Sequence, residues 1–431
     1  MQRTGKRAIL VRMKSPFVSL ILLALSITAA AQPKDFYLKE NDRVVFYGDS
    51  ITDQRLYTAF TETFVVTRFP KLKVSFVHSG WGGDRVGGGG GGNIEVRLKR
   101  DVFAYNPTVM TIMLGMNDGS YRAFDQKIFD QYSSGYEHIV DAVKKAQPRI
   151  RITAIQPSPY DDVTRPPQFE GGYNNVLVRY GQFIRALAGR EGLNVADLNT
   201  AVVAALEKAK ASDAEAAKKI IQDRVHPGPA GQLLMAGELL KSWHAPRTVT
   251  AVEIDAHTKK VVGSESTHVS NFSADGKLSW KQSDAALPMA VDLNDPVIAL
   301  AIRSSDFIES LDQQSLKVTG LTAAKYDLRI DGTSIGSFTS EQLAKGINLA
   351  ILATPMAQQA KEVHAITKQH NDLHFTRWRQ IQVPMANLKS ARVDQATPGL
   401  LDALDEEEGS VIAKQRSAAQ PKEHRYELVE L

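Results

Sequence analysis

Between residues 42 and 198, short apolar runs alternate with amphipathic stretches, and this alternation most constrains what the chain can fold into. Brief runs rich in Val, Ile and Phe read as strands buried on both faces, and such strands need helices above and below them. The spacing predicts strands at 43–47, 74–78, 109–114, 150–155 and 194–196. Helices are expected at 54–68, 93–102, 126–146 and 174–188, the last stopped by Gly189, and further ones at 201–210, 213–222 and 229–243. The expected architecture is a three-layer α/β/α domain on a parallel sheet. Ligands of such open sheets sit at the carboxyl ends of the strands, so the loops after Tyr47, His78 and Leu114 are where chemistry belongs.

After Pro246 the texture changes to short β-like segments at 248–254, 278–280, 297–302 and 326–330, the last followed by the hairpin signal Asp331-Gly332. These predict a small antiparallel, sandwich-like unit ending near Leu349. Polar, helix-favouring stretches return at 355–382 and 398–417, before a tail at 424–431. The first 31 residues have a basic start, an apolar run at 17–28 and the small residues Ala29, Ala30 and Ala31, the three parts of a secretory signal peptide. The run is shorter than the ~20 residues a spanning helix needs, so no stable membrane insertion is expected after cleavage. The expected division is 1–31 signal peptide, 32–245 α/β domain, 246–350 β-sandwich-like domain and 351–431 helical segment with tail.

Five of the 52 cations, Arg3, Lys6, Arg7, Arg12 and Lys14, lie in that leader, which leaves 47 against 48 anions. The basic pI therefore gives no argument for a nucleic-acid surface on the folded protein. Cysteine is absent, which excludes disulfides, zinc-thiolate sites and cysteine nucleophiles.

Ser50 follows Gly48-Asp49 at a strand-to-helix turn, where a hydroxyl stands beside exposed helix amides. Taken alone it is an ordinary helix cap. Far downstream, Asp223-Arg224-Val225-His226 places an acid three residues before an imidazole. Within one turn such an acid bonds one ring nitrogen and leaves the other free to take a serine proton. An acyl-transfer serine also needs oxyanion donors on neighbouring strand ends. Asn117, in Gly115-Met116-Asn117-Asp118, offers a side-chain amide there, and the loop Ser79-Gly80-Trp81-Gly82-Gly83-Asp84 offers unobstructed backbone amides. Each feature alone is turn chemistry; together and in order they are not.

At these residues the chain resembles the SGNH (GDSL) hydrolase family of esterases and lipases, over roughly 42–243. The resemblance implies a flavodoxin-like strand order and no cofactor. It also implies Ser50 as nucleophile, His226 as base and Asp223 as its acid. The oxyanion donors it implies are the amides of Ser50 and Gly83 with the Asn117 side chain. His78 stands where many relatives carry Asn.

The six glycines at 87–92 contain a Gly-x-Gly-x-x-Gly match by default, but no Lys-Ser or Lys-Thr follows, so a flexible loop is expected rather than a nucleotide site. Residues 161–173 form a long polar and aromatic loop, read equally as a lid or as a merely solvated loop. His364, His370 and His374 have helical spacing, yet one helix supplies too few metal ligands, so capping and solvation are expected and no metal. Trp378, between Arg377 and Arg379, reads as a packing anchor. The expected function is a secreted or periplasmic serine esterase releasing acyl groups, chiefly acetyl, from small-molecule or polysaccharide esters. The alternatives are a non-catalytic glycan- or surface-binding protein on a hydrolase scaffold, and an acyltransferase using the same residues.

Overall fold

The computed structural model describes residues 36–274, 277–388 and 390–431; the expected signal peptide at 1–31 lies outside them. Strands β1 (Arg43–Gly48), β2 (Ser75–Gly80), β3 (Val109–Met113), β4 (Arg151–Ile155) and β5 (Asn194–Ala196) fall within two residues of their expected places. They form one parallel sheet in the order β2-β1-β3-β4-β5, the flavodoxin-like order. All five residues of β3 are buried, as a central strand covered on both faces requires. Gly48 pairs with both Gly80 and Met113, so β1, β2 and β3 end level and their following loops share one edge.

The helices differ from expectation mainly at their ends. The helix over 174–188 is Gly172–Glu191; it runs through Gly189 and stops at Gly192, which takes the left-handed conformation at φ 63°. Of the helix expected at 213–222, only Ala214–Ala217 forms. The Leu56–Arg68 helix is buried at every residue from 57 to 68, because the Pro229–Ser242 helix and the C-terminal Pro355–Phe375 helix both pack on it. The C-terminal helices thus rest on the α/β domain.

The second unit is a sandwich of two sheets. Its strands are β6 (Thr248–Asp255), β7 (Lys260–Glu265), β8 (Thr267–Ser273), β9 (Leu278–Asp284), β10 (Gln313–Thr319), β11 (Lys325–Ile330), β12 (Thr333–Thr339), β13 (Ile347–Asn348) and β14 (Glu423–Glu430). The sheets run β8-β9-β14-β11-β12 and β13-β10-β6-β7. Val252, Ile254, Leu316 and Val318 from one sheet share a core with Trp280, Leu328, Tyr426 and Leu428 from the other.

Three expectations are corrected here. Residues 297–302 are not a strand: Pro296–Arg303 is a helix, started by Asp295, whose carboxylate accepts from Val297 N (2.8 Å) and Ile298 N (3.1 Å), with Pro296 at the first helical position. The sandwich is not wholly antiparallel, because that helix and Phe307–Leu311 carry the chain over and let β10 pair parallel to β6. Nor does it end near Leu349. The tail returns as β14 between β9 and β11, with Tyr426 opposite Trp280 at a stacked ring distance of 5.2 Å. Alternation drives this: Tyr426 and Leu428 turn into the core while Arg425 stays exposed.

Candidate active site

Ser50 opens the short Ser50–Asp53 helix directly after β1, and Asp49 caps that helix by accepting from Ile51 N at 3.0 Å. The segment before the Pro229–Ser242 helix brings His226 to the same edge, with Nε2 2.8 Å from Ser50 Oγ. Its other ring nitrogen, Nδ1, lies 2.7 Å from Asp223 Oδ2. The second Asp223 oxygen accepts from the backbone amides of Val225 (3.0 Å) and His226 (2.7 Å), so the acid is locked into the turn that holds the base. Partial burial raises the Asp223 pKa, but these bonds outweigh it and hold the carboxyl below its ordinary value. His226 therefore faces a charged acid on one side and a hydroxyl on the other, the arrangement that lets an imidazole accept the serine proton.

The expected donors stand on the loops after the two strands that flank β1. Gly83 takes φ 77°, a left-handed conformation that suits glycine, and among the described residues its amide meets no acceptor. The neighbouring Gly82 amide is engaged by Asp53 Oδ2 at 3.2 Å, which ties the loop to the helix that Ser50 begins. Asn117 Nδ2 donates to the Asp84 carbonyl at 3.0 Å, beside Gly83, while Tyr121 OH donates to Asn117 Oδ1 at 2.8 Å. With its oxygen taken by a phenol, the amide presents its nitrogen to the loop, and one of its two hydrogens stays available. The five expected site residues thus stand on three aligned strand ends and one downstream turn.

Around them sit acids that the sequence does not single out. Burial pushes Asp49 up to about 7, its carboxyl raised further by the charges of Asp118 and Asp84. Asp118, which accepts from Val86 N at 3.0 Å, is pushed up to about 6, also by burial. Asp84 is paired with Arg97, whose Nε lies 2.7 Å from Asp84 Oδ2.

The loop at 161–173 is a brace rather than a free lid. Arg165 donates to Asp161 (2.6 Å) and to the carbonyls of Ile221 (2.9 Å) and Gln222 (2.7 Å), directly before Asp223. In return Arg224 donates to the carbonyls of Asp161 (3.2 Å) and Pro166 (3.0 Å), and Arg224 itself holds φ 72°, an uncommon state for a residue with a side chain. The glycine run is likewise ordered: Gly88–Gly89 and Gly92–Asn93 pair as a short hairpin. A Cβ at Gly91 would lie 2.5 Å from the Trp81 ring, which is why no larger residue fits.

The histidines of the C-terminal helix are neither capping nor solvated. His370 lies buried between Glu62 (2.9 Å) and Glu408 (3.1 Å), His374 is 3.5 Å from Glu408, and His364 Nδ1 is 2.9 Å from Thr63 Oγ1. His78 joins them through Glu62 at 3.2 Å, so its side chain serves the helix packing and not the site. Among the described residues no group of acids and histidines has the arrangement of a metal site. Tyr121, which donates to Asn117, and Arg224, which holds the 161–173 loop, carry no signal in the sequence that marks them.

A parallel α/β/α sheet with a serine, an imidazole and amide donors at its carboxyl edge is the framework of a carboxylic ester hydrolase. Residues 46–234 match the GDSL-like Lipase/Acylhydrolase family, and this segment is a domain of that family. An acetylxylan esterase from Geobacillus stearothermophilus is 23% identical over 220 residues, which is 46% of this chain and 93% of the relative. A solved gut microbial diltiazem-metabolizing enzyme is 27% identical, with a TM-score of 0.77 over 93% of this chain and 99% of its own, so the whole architecture, sandwich and C-terminal helices included, recurs there. A catalytic mutant of an acetylxylan esterase from Geobacillus stearothermophilus is 22% identical over 48% of this chain and 96% of its own, with a TM-score of 0.39.

Proposed function

We propose that the protein is an exported serine esterase that hydrolyses acetyl esters, chiefly of carbohydrates, through an acyl-enzyme. The observation that carries this reading is the line Ser50 Oγ, His226 Nε2, His226 Nδ1 and Asp223 Oδ2, joined at 2.8 and 2.7 Å. In the proposed cycle His226 takes the Ser50 proton as Oγ attacks the ester carbonyl. The amides of Ser50 and Gly83 and the Asn117 side chain hold the oxyanion, and the alcohol leaves with the proton from His226. Water, deprotonated by His226, then releases the acid and restores Ser50. Asp223 stays ionised and orients the ring throughout.

Hydrolysis is favoured over acyl transfer by exposure, since the side chains of His226 and Asp223 are 33% and 56% accessible, which leaves the base open to water. Carbohydrate esters are favoured by the rim. Tyr121, 39% exposed beside Asn117, offers aromatic surface of the kind sugar rings pack on, and Arg85, which reaches only Ser120 Oγ at 3.4 Å, adds a polar donor. The acetyl group is favoured by the acetylxylan esterase relative and by the braced, polar 161–173 loop, which is not built as an apolar acyl tunnel. Export rests on the three-part leader; among the described residues no helix is long and apolar enough to cross a membrane.

The test is fluorophosphonate labelling of Ser50 together with kinetics on an acyl series. Ser50→Ala is expected to abolish labelling and turnover with an unchanged melting temperature, and kcat/KM to fall from acetate to octanoate. In an apolar tunnel each buried methylene would instead add about 0.8 kcal/mol. An optimum at octanoate, with no acetate released from acetylated glycans, would move the protein to lipase chemistry.

A further inference from the structure

Trp378 lies within the π-helical turn Thr376–Gln382 and is almost fully buried against the α/β domain. A π-helical turn accommodates an extra residue and so re-aims the side chains within it, which is one reason such turns recur at functional places. Here Trp378 Nε1 donates to Asp101 Oδ1 at 2.6 Å. Asp101 ends the Ile94–Asp101 helix and is fully buried, and its carboxylate also receives Arg97 Nη1, Arg100 Nε (2.6 Å) and Arg100 Nη2 (2.7 Å). Arg97, itself buried, turns its remaining nitrogens to the Ser79 carbonyl (2.7 Å) and to Asp84 Oδ2 (2.7 Å). Its guanidinium is enclosed by the rings of Tyr47, Trp81 and Trp378 at 4.9, 5.2 and 5.9 Å. Asp84 closes the path, because its carbonyl is the acceptor that holds Asn117 Nδ2 and its amide follows Gly83.

A buried set of charges is a poor way to gain stability, since apolar residues of equal volume often serve as well or better. It is a good way to fix direction. Arg97 meets its partners with a planar, rigid fork, and a carboxylate held by an indole and two guanidinium groups has little freedom to rotate. We propose that Trp378 is a positioning residue for ester hydrolysis: by fixing Asp101 it sets Arg97 and Asp84, and through them the placement of the Asn117 amide. This rests on the reading that Asn117 helps hold the oxyanion. It assigns the C-terminal segment a part in the reaction without any contact to substrate, as small displacements of a donor are costly in the transition state.

The test uses the full-length protein and Trp378→Phe, which keeps an aromatic ring and deletes the N–H. On a small acetate ester kcat is expected to fall about ten-fold, the scale of one lost buried hydrogen bond, with KM changed less than about two-fold. The decisive measurement is the same substitution in an Asn117→Ala background, where its effect on kcat is expected to shrink to less than about two-fold. Asp101→Asn, which keeps an acceptor for the indole but weakens the grip on Arg97, is expected to show the same split and the same loss of effect. An unchanged kcat in Trp378→Phe, or an equal fall in both backgrounds, overturns the positioning role. Failure of both variants to fold also overturns it, because it makes the network an element of stability alone. If instead Asn117→Ala by itself leaves kcat intact, it is the oxyanion assignment that has failed.

Discussion

Replacing His370 with alanine should destabilise the protein by roughly 3–5 kcal/mol, the usual cost of breaking a buried ion pair from one side. Glu62, on the Leu56–Arg68 helix, has only 2% of its side chain exposed and accepts from His370 (2.9 Å), Gln415 (2.8 Å), Asn371 (3.2 Å) and His78 (3.2 Å). Burial, the largest single influence, opposes its charge, but the His370 cation together with the hydrogen bonds from His370 and His78 outweighs it and holds the Glu62 carboxyl far below the usual carboxylate range. Burial also opposes the charge on His370; the carboxylates of Glu62 and Glu408 on either side overcome it and push the ring up to about 10. His78 goes the other way: burial pushes it down to about 4, so it stays neutral and acts as a plain donor to Glu62. Without His370, Glu62 keeps only neutral donors and Glu408 keeps His374.

The sign of the pH dependence follows. A folded-state value raised above the ordinary 6.5 means that the His370 contribution is complete below pH 6.5 and is lost as pH rises toward 10. Over that window wild-type stability should carry a falling component of about 1.4 kcal/mol per pH unit, which His370→Ala should lack. On the acid side the depressed His78 acts oppositely: from pH 6.5 down to about 4 the unfolded chain binds a proton that the folded one refuses, so wild-type stability falls with acidification. Urea unfolding followed by tryptophan fluorescence at pH 5, 6.5, 8 and 9.5 reads both effects as midpoint shifts at constant slope. A cost under about 1 kcal/mol at pH 6.5, with the alkaline decline intact in the variant, would refute the charge assignment.

Two further outcomes are expected. Asn117→Ala should lower kcat by roughly a hundred- to a thousand-fold with little change in KM, whereas a raised KM at constant kcat would make Asn117 a ground-state binding residue. A chain ending at Pro246 contains all five expected site residues, yet it strips the cover from Glu62, from the Phe60 ring stacked on His364 at 4.7 Å and from Arg68, which donates to the Leu311 carbonyl at 2.9 Å. It should therefore be aggregation-prone, and a soluble, cooperatively folding product with wild-type kcat would show the cover to be dispensable.

What the sequence made legible is what is local. The strand and glycine before Ser50, the acid one turn before His226 and the amide after β3 each declare themselves within a few residues, and parallel pairing then brings three strand ends level. What it hid depends on partners hundreds of residues away. Residues 297–302 read as strand because an all-apolar run has no helical period to show, although Asp295-Pro296 is a helix start. Residues 424–431 read as a tail because their alternation has meaning only between β9 and β11. His370 and His374, four apart, read as capping or solvated residues until a second helix lays Glu408 across them. Trp378 between two arginines read as a packing anchor, and it is one, but its indole N–H reaches Asp101, 277 residues earlier in the chain. The division of labour this implies is physical: bond-making groups can be specified by short motifs because each needs only its neighbours, whereas their orientation to a few tenths of an ångström is set by burial, and burial belongs to the whole chain. A domain that carries the complete set of reacting groups can therefore still depend on a C-terminal segment that touches none of them.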